Sequence, residues 1–468
     1  MSPTMDSETE AKRRSTVLWV VGLATLGLIF DGDDLVVYGT VVSTFLRNPN
    51  EIGPVTPQAA GALGSYALIG VLVGALLAGT VGDILGRRKV MLTAYAWFAV
   101  GMGATAMTHT SEMFGVLRFI TGLGVGALVA TTGALVNEYA PPGKKNLINA
   151  ITYSGVPIGS LMAALLAIIL LDLIGWRGMF WIGALPLVTL LPLAILKMPE
   201  SVAWLASRGR LDEARAISAR TGIPLPEEMP SAQGAPAASV AGAPAGGGRA
   251  GFAGLFGPGY LFPTLVLGLM SATGLVLVYS LNTWLPELML RAGFNAKGSL
   301  SFLLVLNGGA ILGALAGSRI ADRLGPKPVV AGAFLIGALA SGALTLSAPL
   351  GVLLIIVAIA GLGTSGTQTL IYGFVANYYR TNVRGAGVAW CAGFGRLGGV
   401  GGPLLGGFLV GAGLALDSIF YVLAALGLLG LVLTLLVPVA RRPRELRSTL
   451  IEPTPAVVAR SAEPVGTA

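Results

Sequence analysis

Three aspartates within four residues, Asp31, Asp33 and Asp34, interrupt the first long apolar run of the chain, from about 17 to 45. At 1.5 Å per helical residue, Asp31 lies roughly 21 Å from either end of that run. An acid at such a depth in a bilayer costs about 3 kcal/mol on insertion scales, and such residues usually face a cavity and carry ions, protons or substrate. These residue types therefore predict the binding or transfer of a proton or an ion within a membrane.

Helical geometry separates the three acids into two groups. Asp31 and Asp34 are three residues apart and share a face with Tyr38, whereas Asp33 points roughly 200° away from Asp31. Two close carboxylates at low dielectric disfavour double ionisation, so at least one of Asp31 and Asp34 should hold a proton near neutral pH. We expect these two to couple protons and Asp33 to be a rim or packing residue. The alternative is an acid that Arg118 or helix-end donors hold permanently.

Two arginines also lie inside apolar runs. Arg396 lies twelve residues beyond Arg384, which places it roughly 18 Å into the eleventh run. Its planar guanidinium suits a carboxylate in bidentate geometry, so it is predicted to hold the carboxylate of a substrate; a permanent ion pair with a protein acid is the alternative. Arg118 lies six residues inside the fourth run, where it could line a cavity or reach the outer surface.

Polar and aromatic residues of the later runs could line such a cavity, which needs apolar walls and a few oriented polar groups. The predicted substrate-binding residues are Arg396, Arg118, Trp390, Asn307, Gln368 and Tyr38. Tyr279, Asn282 and Tyr372 are weaker candidates. Each uncharged residue of these sets could instead serve helix packing or hydrogen bonding between helices.

The composition is that of a membrane protein. Of 468 residues, 54% are hydrophobic and 11% are charged, whereas soluble domains have about 25% charged residues. The single histidine and the single cysteine leave no ligand set for a Cys/His metal site, and no cofactor is expected. The net charge of +8 does not indicate nucleic-acid binding, because the basic residues fall in short loops between apolar runs.

Twelve apolar runs predict an all-α, polytopic membrane protein with twelve transmembrane helices. The runs are roughly 17–45, 59–81, 90–108, 112–138, 147–171, 176–197, 260–290, 298–319, 328–347, 350–378, 385–413 and 416–438. Loops 2–3, 4–5, 8–9 and 10–11 hold ten Lys and Arg residues, and the opposite short loops hold four. The positive-inside rule therefore predicts that both termini are cytoplasmic. The expected location is the inner (plasma) membrane, which the chain would cross many times.

The predicted organisation has five parts. A cytoplasmic tail, 1–16, precedes a six-helix bundle, 17–197, and a second six-helix bundle, 260–438, precedes a cytoplasmic tail, 439–468. The loop between the bundles, 198–259, should contain a short amphipathic helix up to Ala214 and an Ala/Pro/Gly-rich disordered linker over about 224–249.

The two bundles repeat one another in sequence. Gly82-Asp83-Ile84-Leu85-Gly86-Arg87 matches Ala321-Asp322-Arg323-Leu324-Gly325-Pro326 at an offset of 239, and Gly155 matches Gly395 at 240. A constant offset through several elements indicates two six-helix halves of common origin, as in many secondary transporters.

Several motifs resemble those of the major facilitator superfamily. Gly79-x-x-x-Asp83-x-x-Gly86-Arg87-Arg88-Lys89 is similar to its loop 2–3 signature, and the second copy departs from it at Ser318 and Pro326. Arg118-Phe119-x-x-Gly122-x-Gly124 and Pro199-Glu200-Ser201-x-x-Trp204-Leu205 also resemble segments of that superfamily. The resemblance implies its two-bundle fold and a gating set at the basic loops, which is Asp83, Gly86, Arg87, Arg88, Glu138, Asp322 and Arg384. Simple topogenic charge is the alternative role for these residues.

Other motifs resemble the aromatic acid:proton symporter family within that superfamily. The Asp31-Gly32-Asp33-Asp34 stretch is similar to its Asp-Gly-x-Asp element, and the segment from Arg384 through Trp390 to Arg396 is also similar. The resemblance implies import of benzoate, hydroxybenzoate or a related aromatic carboxylate with protons. The alternatives are a proton symporter for a non-aromatic acid or a sugar-like substrate, and a non-transporting membrane sensor. An enzyme is not expected, because the sequence has no nucleophile–base cluster, metal-ligand set or phosphate loop.

Overall fold

The regular structure of the described part of the chain is helical. The computed structural model describes residues 7–141, 144–225, 251–257 and 259–438, and over these residues it has α-helices, one 3₁₀ turn at Leu185–Leu187 and no strand. The first half contains α1 Ser7–Arg47, α2 Pro49–Ile52, α3 Pro57–Leu85, α4 Arg87–Ala106, α5 Ser111–Tyr139, α6 Lys145–Tyr153, α7 Gly155–Ala184 and α8 Leu190–Lys197. Between the halves lie α9 Val202–Ser207, α10 Leu211–Thr221 and α11 Gly251–Leu255. The second half contains α12 Leu261–Arg291, α13 Ala296–Leu324, α14 Pro326–Ala343, α15 Leu350–Gly363, α16 Ser365–Tyr378, α17 Thr381–Gly411 and α18 Leu416–Leu436.

The length and hydropathy of these helices account for the predicted crossings. Nine segments of the described residues are long and apolar enough to span a bilayer. One of them, 147–197, has 51 residues, or roughly 76 Å, which is more than twice the hydrocarbon thickness. Its backbone leaves helical geometry at Gly175 (φ 66°, ψ −179°), so it crosses twice. The remaining crossings are α4 and α17, which have 20 and 31 residues and contain arginines that make them less apolar. The predicted all-α membrane fold is confirmed, and the described helices are long enough to account for the twelve predicted crossings.

The first helix begins earlier than the sequence predicted. Residues from Ser7 onward, placed in a cytoplasmic tail by their polarity, continue α1 without a break. Ion pairs one turn apart, such as Lys12 with Glu8 at 2.7 Å, support this polar extension. It also packs on α10, where the hydroxyl of Thr16 donates to the carbonyl oxygen of Thr221 at 3.2 Å.

The aspartate motif lies where α1 and α7 approach at backbone distance. A Cβ on Gly32 would collide with the carbonyl oxygen of Val156, and a Cβ on Gly159 would collide with that of Ile29. The hydroxyl of Ser160 donates to the carbonyl oxygen of Gly32 at 3.2 Å. This close packing sets the rotation of α1 and lays the backbone of Asp33 against α7.

The two halves meet mainly through the helix pairs α1–α12, α3–α17 and α7–α13. The hydroxyl of Ser65 donates to the carbonyl oxygen of Val400 at 2.7 Å. Two ion pairs also join the halves, Arg47 with Glu287 and Lys297 with Asp172, each at 3.5 Å. We call the end of the bundle that contains these two ion pairs the closed end, and the end that contains Arg87 and Arg384 the basic end.

The basic end has no comparable closure. Within the described ranges, no ion pair or side-chain hydrogen bond joins the first half to the second half there. The conformation is therefore one in which the halves are joined at the closed end. The predicted linker at 224–249, apart from its first two residues, and the tail at 439–468 lie outside the described residues.

Candidate functional site

An acid of the first half and a cation of the second half lie within electrostatic reach of one another. Asp31 of α1 is buried, with 6% of its surface exposed. Arg396 of α17 is half-buried and lies in the middle of that 31-residue helix. Their charges are within electrostatic reach, yet in the described part of the chain Arg396 has no carboxylate within 4.0 Å. The guanidinium is thus left available to a bound anion, with an acid close enough to compete for it.

Three tyrosines lie within electrostatic reach of this arginine. Tyr153 at the end of α6, Tyr279 in α12 and Tyr372 in α16 each lie within electrostatic reach of Arg396. Tyr153 and Tyr279 are also within reach of Asp31. Aromatic side chains of both halves therefore lie in the region of one guanidinium, a combination of groups that suits a planar anion.

Tyr153 was missed by the reasoning from sequence. Its hydroxyl donates to the carbonyl oxygen of Val129 at 3.3 Å, and it directly precedes the junction of α6 and α7. The internal repeat carried the signal that could have found it. At an offset of 240, Arg396 corresponds to Val156, which is one helical turn from Tyr153.

Gln368 belongs to a polar group beside Arg396. Its side-chain nitrogen donates to the hydroxyl of Ser271 at 3.1 Å, and the hydroxyl of Tyr372 lies within hydrogen-bonding reach of both. Asn307 lies in a different pair, in which its side-chain nitrogen donates to the side-chain oxygen of Asn282 at 3.0 Å. Of these two predicted substrate residues, the structure brings only Gln368 to the arginine.

Asp34 and Arg118 form a buried ion pair within the first half. Each side chain is 3% exposed, and the guanidinium donates to the carboxylate of Asp34. The rings of Tyr38 and Phe180 lie 5.8 and 5.7 Å from the guanidinium carbon. The hydroxyl of Tyr38 donates to the carbonyl oxygen of Ala60 at 2.5 Å. Arg118 therefore does not reach the outer surface, and the contacts favour a structural role for Asp34, Arg118 and Tyr38.

We predict that Arg118→Ala lowers the free energy of unfolding by about 3–5 kcal/mol, because it leaves the buried carboxylate of Asp34 without its partner. Thermal unfolding of the purified protein in detergent measures the loss. Adding Asp34→Asn should recover much of it, since the uncompensated charge is then gone. Arg215→Ala is the matched control, because Arg215 pairs with Asp212 on an exposed surface, where a pair contributes about 1 kcal/mol or less. Equal losses for Arg118→Ala and Arg215→Ala would contradict the assignment.

The contacts of Trp390 place it in a packing position. The indole nitrogen of Trp390 donates to the carbonyl oxygen of Thr264 at 2.9 Å, and its ring stacks on Phe394 with centroids 5.1 Å apart. These contacts favour packing between α12 and α17 over a substrate contact. Asp33 is 3% exposed, about as deeply buried as Asp31 and Asp34, so its predicted rim or packing role stays a prediction.

The predicted gating residues of the first half form one network at the basic end. Arg87 pairs with Asp83 at 2.6 Å and with Glu138 at 3.4 Å. The backbone N–H of Arg88 donates to Glu200 at 2.9 Å. Gly86 has φ 98° and lies against Glu200 and Trp204, so a side chain there would be strained and crowded.

The gating residues of the second half are not part of this network. Asp322 and Arg384 are exposed, and within the described ranges neither has an oppositely charged partner within 4.0 Å. Among the described residues, the predicted gating residues of the two halves are therefore not joined by an ion pair in this conformation. A role for these residues in another conformation stays a prediction.

Comparison with known proteins places the chain among membrane transporters. The profile of the Major Facilitator Superfamily matches residues 23–350 and 299–463. The benzoate transport protein of Acinetobacter baylyi is 34% identical over 89% of this chain and 89% of that protein. The gentisate transporter of Corynebacterium glutamicum is 33% identical over 86% of this chain and 83% of that protein. Among solved structures, the inward-open conformation of the xylose transporter XylE from E. coli has a TM-score of 0.71 at 17% identity, covering 93% of this chain and 100% of that one.

Proposed function

Because the chain belongs to the Major Facilitator Superfamily, we propose that it imports an aromatic carboxylate with protons across the inner membrane by alternating access. The relatives named for benzoate and gentisate support the substrate class. The observation that carries the proposal is Arg396, a half-buried guanidinium without an ion-pair partner in the described residues, with Asp31 and three tyrosines within electrostatic reach.

The first step is capture of the substrate carboxylate by Arg396. A carboxylate that leaves water for a site of low dielectric pays a desolvation cost of several kcal/mol unless it is paired. The guanidinium offers two parallel N–H donors to the two carboxylate oxygens. Tyr153, Tyr279 and Tyr372 then contact the faces and edges of the ring, which distinguishes an aromatic acid from an aliphatic one.

Asp31 couples the proton to this step. When Asp31 is ionised, its carboxylate attracts Arg396 and competes with the substrate for the same donors. When Asp31 is protonated, the competition ends and Arg396 is released to the substrate. Substrate affinity should therefore fall as the pH rises and Asp31 loses its proton. A proton and a carboxylate thus bind together, and together they bring no net charge to the site.

Closure of the two halves around the bound substrate and proton completes one transport cycle. The positive-inside rule assigns the basic end to the cytoplasm, so the conformation described above would face inward. Reorientation would break the ion pairs of Arg47 with Glu287 and of Lys297 with Asp172 at the closed end. The halves would then close at the basic end, where Asp83, Arg87, Asp322 and Arg384 lie.

We predict that uptake into vesicles with an imposed inward proton gradient is specific for aromatic carboxylates. Labelled benzoate or hydroxybenzoate should accumulate, and unlabelled gentisate should compete. An aliphatic acid of similar charge, such as hexanoate, and a neutral sugar should compete at least tenfold less well, since neither presents both a carboxylate and a flat ring. Full competition by the sugar would overturn the proposed substrate class, and accumulation unaffected by a protonophore would overturn the coupling.

A further inference from the structure

A cavity at the basic end lies outside the proposed transport site. It has a volume of about 340 Å³ and is bounded by the start of α4, the end of α8 and the helices α9 and α10. Four cationic side chains line it, Arg88, Lys89, Arg210 and Arg220, against two carboxylates, Glu200 and Glu213. The lining therefore has an excess of two positive charges.

The cations of this cavity differ in whether they already have a hydrogen-bond or ion-pair partner within the protein. The guanidinium of Arg88 donates to the carbonyl oxygens of Met198 and Ile195 at 2.6 and 2.7 Å. Arg210 pairs with Glu213 at 2.6 Å. Within the described ranges, Lys89 and Arg220 have no carboxylate within 4.0 Å and are exposed to the cavity. An anion that entered would meet these two charges first.

One wall of the cavity continues into the surface that faces lipid. Ile195 and Leu196, in the last turn of α8, line it and are 49% and 79% exposed. Leu193 lies one turn away on the face of Leu196 and lines a second, mostly apolar groove of about 360 Å³ with Leu18 and Leu26 of α1. Lys197 lies 5.3 Å from the ring of Trp19 beside that groove, an arrangement typical of a membrane interface.

We propose that this cavity binds the phosphate headgroup of an anionic phospholipid, with Lys89 and Arg220 as its charge partners and an acyl chain in the groove of Leu18, Leu26 and Leu193. The excess positive charge selects an anion, and the adjoining apolar groove favours a lipid over a soluble phosphate ester. The headgroup would link α10 to the start of α4. It would therefore hold the connecting helices against the network of Asp83, Arg87 and Glu138.

The test measures binding of dioctanoyl-phosphatidylglycerol to the full-length protein purified in detergent, by native mass spectrometry or thermophoresis. Dioctanoyl-phosphatidylcholine should bind at least fivefold more weakly, because its headgroup has no net charge. Glycerol phosphate should bind at least tenfold more weakly, because it has no chain for the groove. If phosphatidylcholine bound as tightly as phosphatidylglycerol, the headgroup charge would not determine binding. If glycerol phosphate bound as tightly as phosphatidylglycerol, the cavity would bind a soluble phosphate ester and not a lipid.

Paired variants locate the site. Lys89→Ala with Arg220→Ala should weaken phosphatidylglycerol binding at least fivefold, whereas Lys89→Arg with Arg220→Lys should remain within twofold of the unmodified protein. Arg215→Ala, on α10 but paired with Asp212 outside the cavity, is the control and should change nothing. Leu196→Ser should weaken binding of the lipid and leave binding of glycerol phosphate unchanged. Unchanged lipid affinity in the alanine pair would refute the site.

Discussion

Arg396→Ala is expected to abolish accumulation of an aromatic carboxylate, with apparent affinity lowered by about a hundredfold or more. The change removes the cation that is proposed to neutralise the substrate carboxylate between the halves. Truncating one partner of a buried, hydrogen-bonded charge pair typically costs about 2–5 kcal/mol, and each 1.4 kcal/mol is a factor of ten. Uptake kinetics in proteoliposomes, together with direct binding of benzoate to the detergent-purified protein, measure the loss.

A lysine at the same position separates charge from geometry. Arg396→Lys keeps the positive charge and loses the planar fork, so we expect KM to rise about tenfold while some transport remains. Arg380→Lys, at the exposed start of the same helix, is the matched control and should behave as the unmodified protein. If Arg396→Lys and Arg396→Ala bind benzoate as well as the unmodified protein does, the substrate carboxylate is held elsewhere.

Asp31→Asn is expected to abolish proton-driven accumulation while leaving exchange of substrate across the membrane. The amide is close in shape to the protonated acid and cannot release a proton, so Arg396 stays free for the substrate at every pH. Benzoate binding should therefore lose its pH dependence in the variant, whereas in the unmodified protein affinity falls as pH rises. Counterflow in proteoliposomes, compared with uptake driven by an imposed pH gradient, distinguishes the two activities.

The control for Asp31→Asn is another acid of the same chain. Asp417→Asn, at the exposed start of α18, changes the same functional group outside the site and should leave accumulation intact. Continued concentration of benzoate by Asp31→Asn under a pH gradient would exclude Asp31 as the coupling group. Loss of both counterflow and accumulation would instead assign Asp31 to substrate binding or to folding.

Asp31 and Asp34 show what the spacing of residues within one helix does not predict. Three-residue spacing places Asp31 and Asp34 on one face of α1 and predicts a shared proton role. In the folded protein α5 brings Arg118 to Asp34, and Arg396 of α17 lies near Asp31. The equivalence of the two acids is therefore broken by their neighbours on other helices, which the spacing within α1 does not contain.

The aromatic residues illustrate the same limit. Trp390 lies six residues from Arg396, close enough in sequence to suggest a shared site, yet its ring packs against Phe394 and its indole nitrogen bonds to Thr264. Tyr153 is far from Arg396 in sequence and close to it in space. Sequence distance within a helix predicts position along its axis, whereas lining a cavity depends on which way each helix is turned.

The amino-acid sequence by itself determined the twelve crossings, the two related halves, the basic end and the depth of Asp31 and Arg396 in the membrane. These follow locally, because the bilayer sets the length of an apolar run and penalises every charge inside it, whatever its neighbours. Only the tertiary structure decided that Asp34 is paired with Arg118, that Tyr153, Tyr279 and Tyr372 lie within electrostatic reach of Arg396, and that the halves are joined at the closed end. The rotation and mutual contact of helices depend on packing between segments hundreds of residues apart, and no periodicity within one segment carries that information.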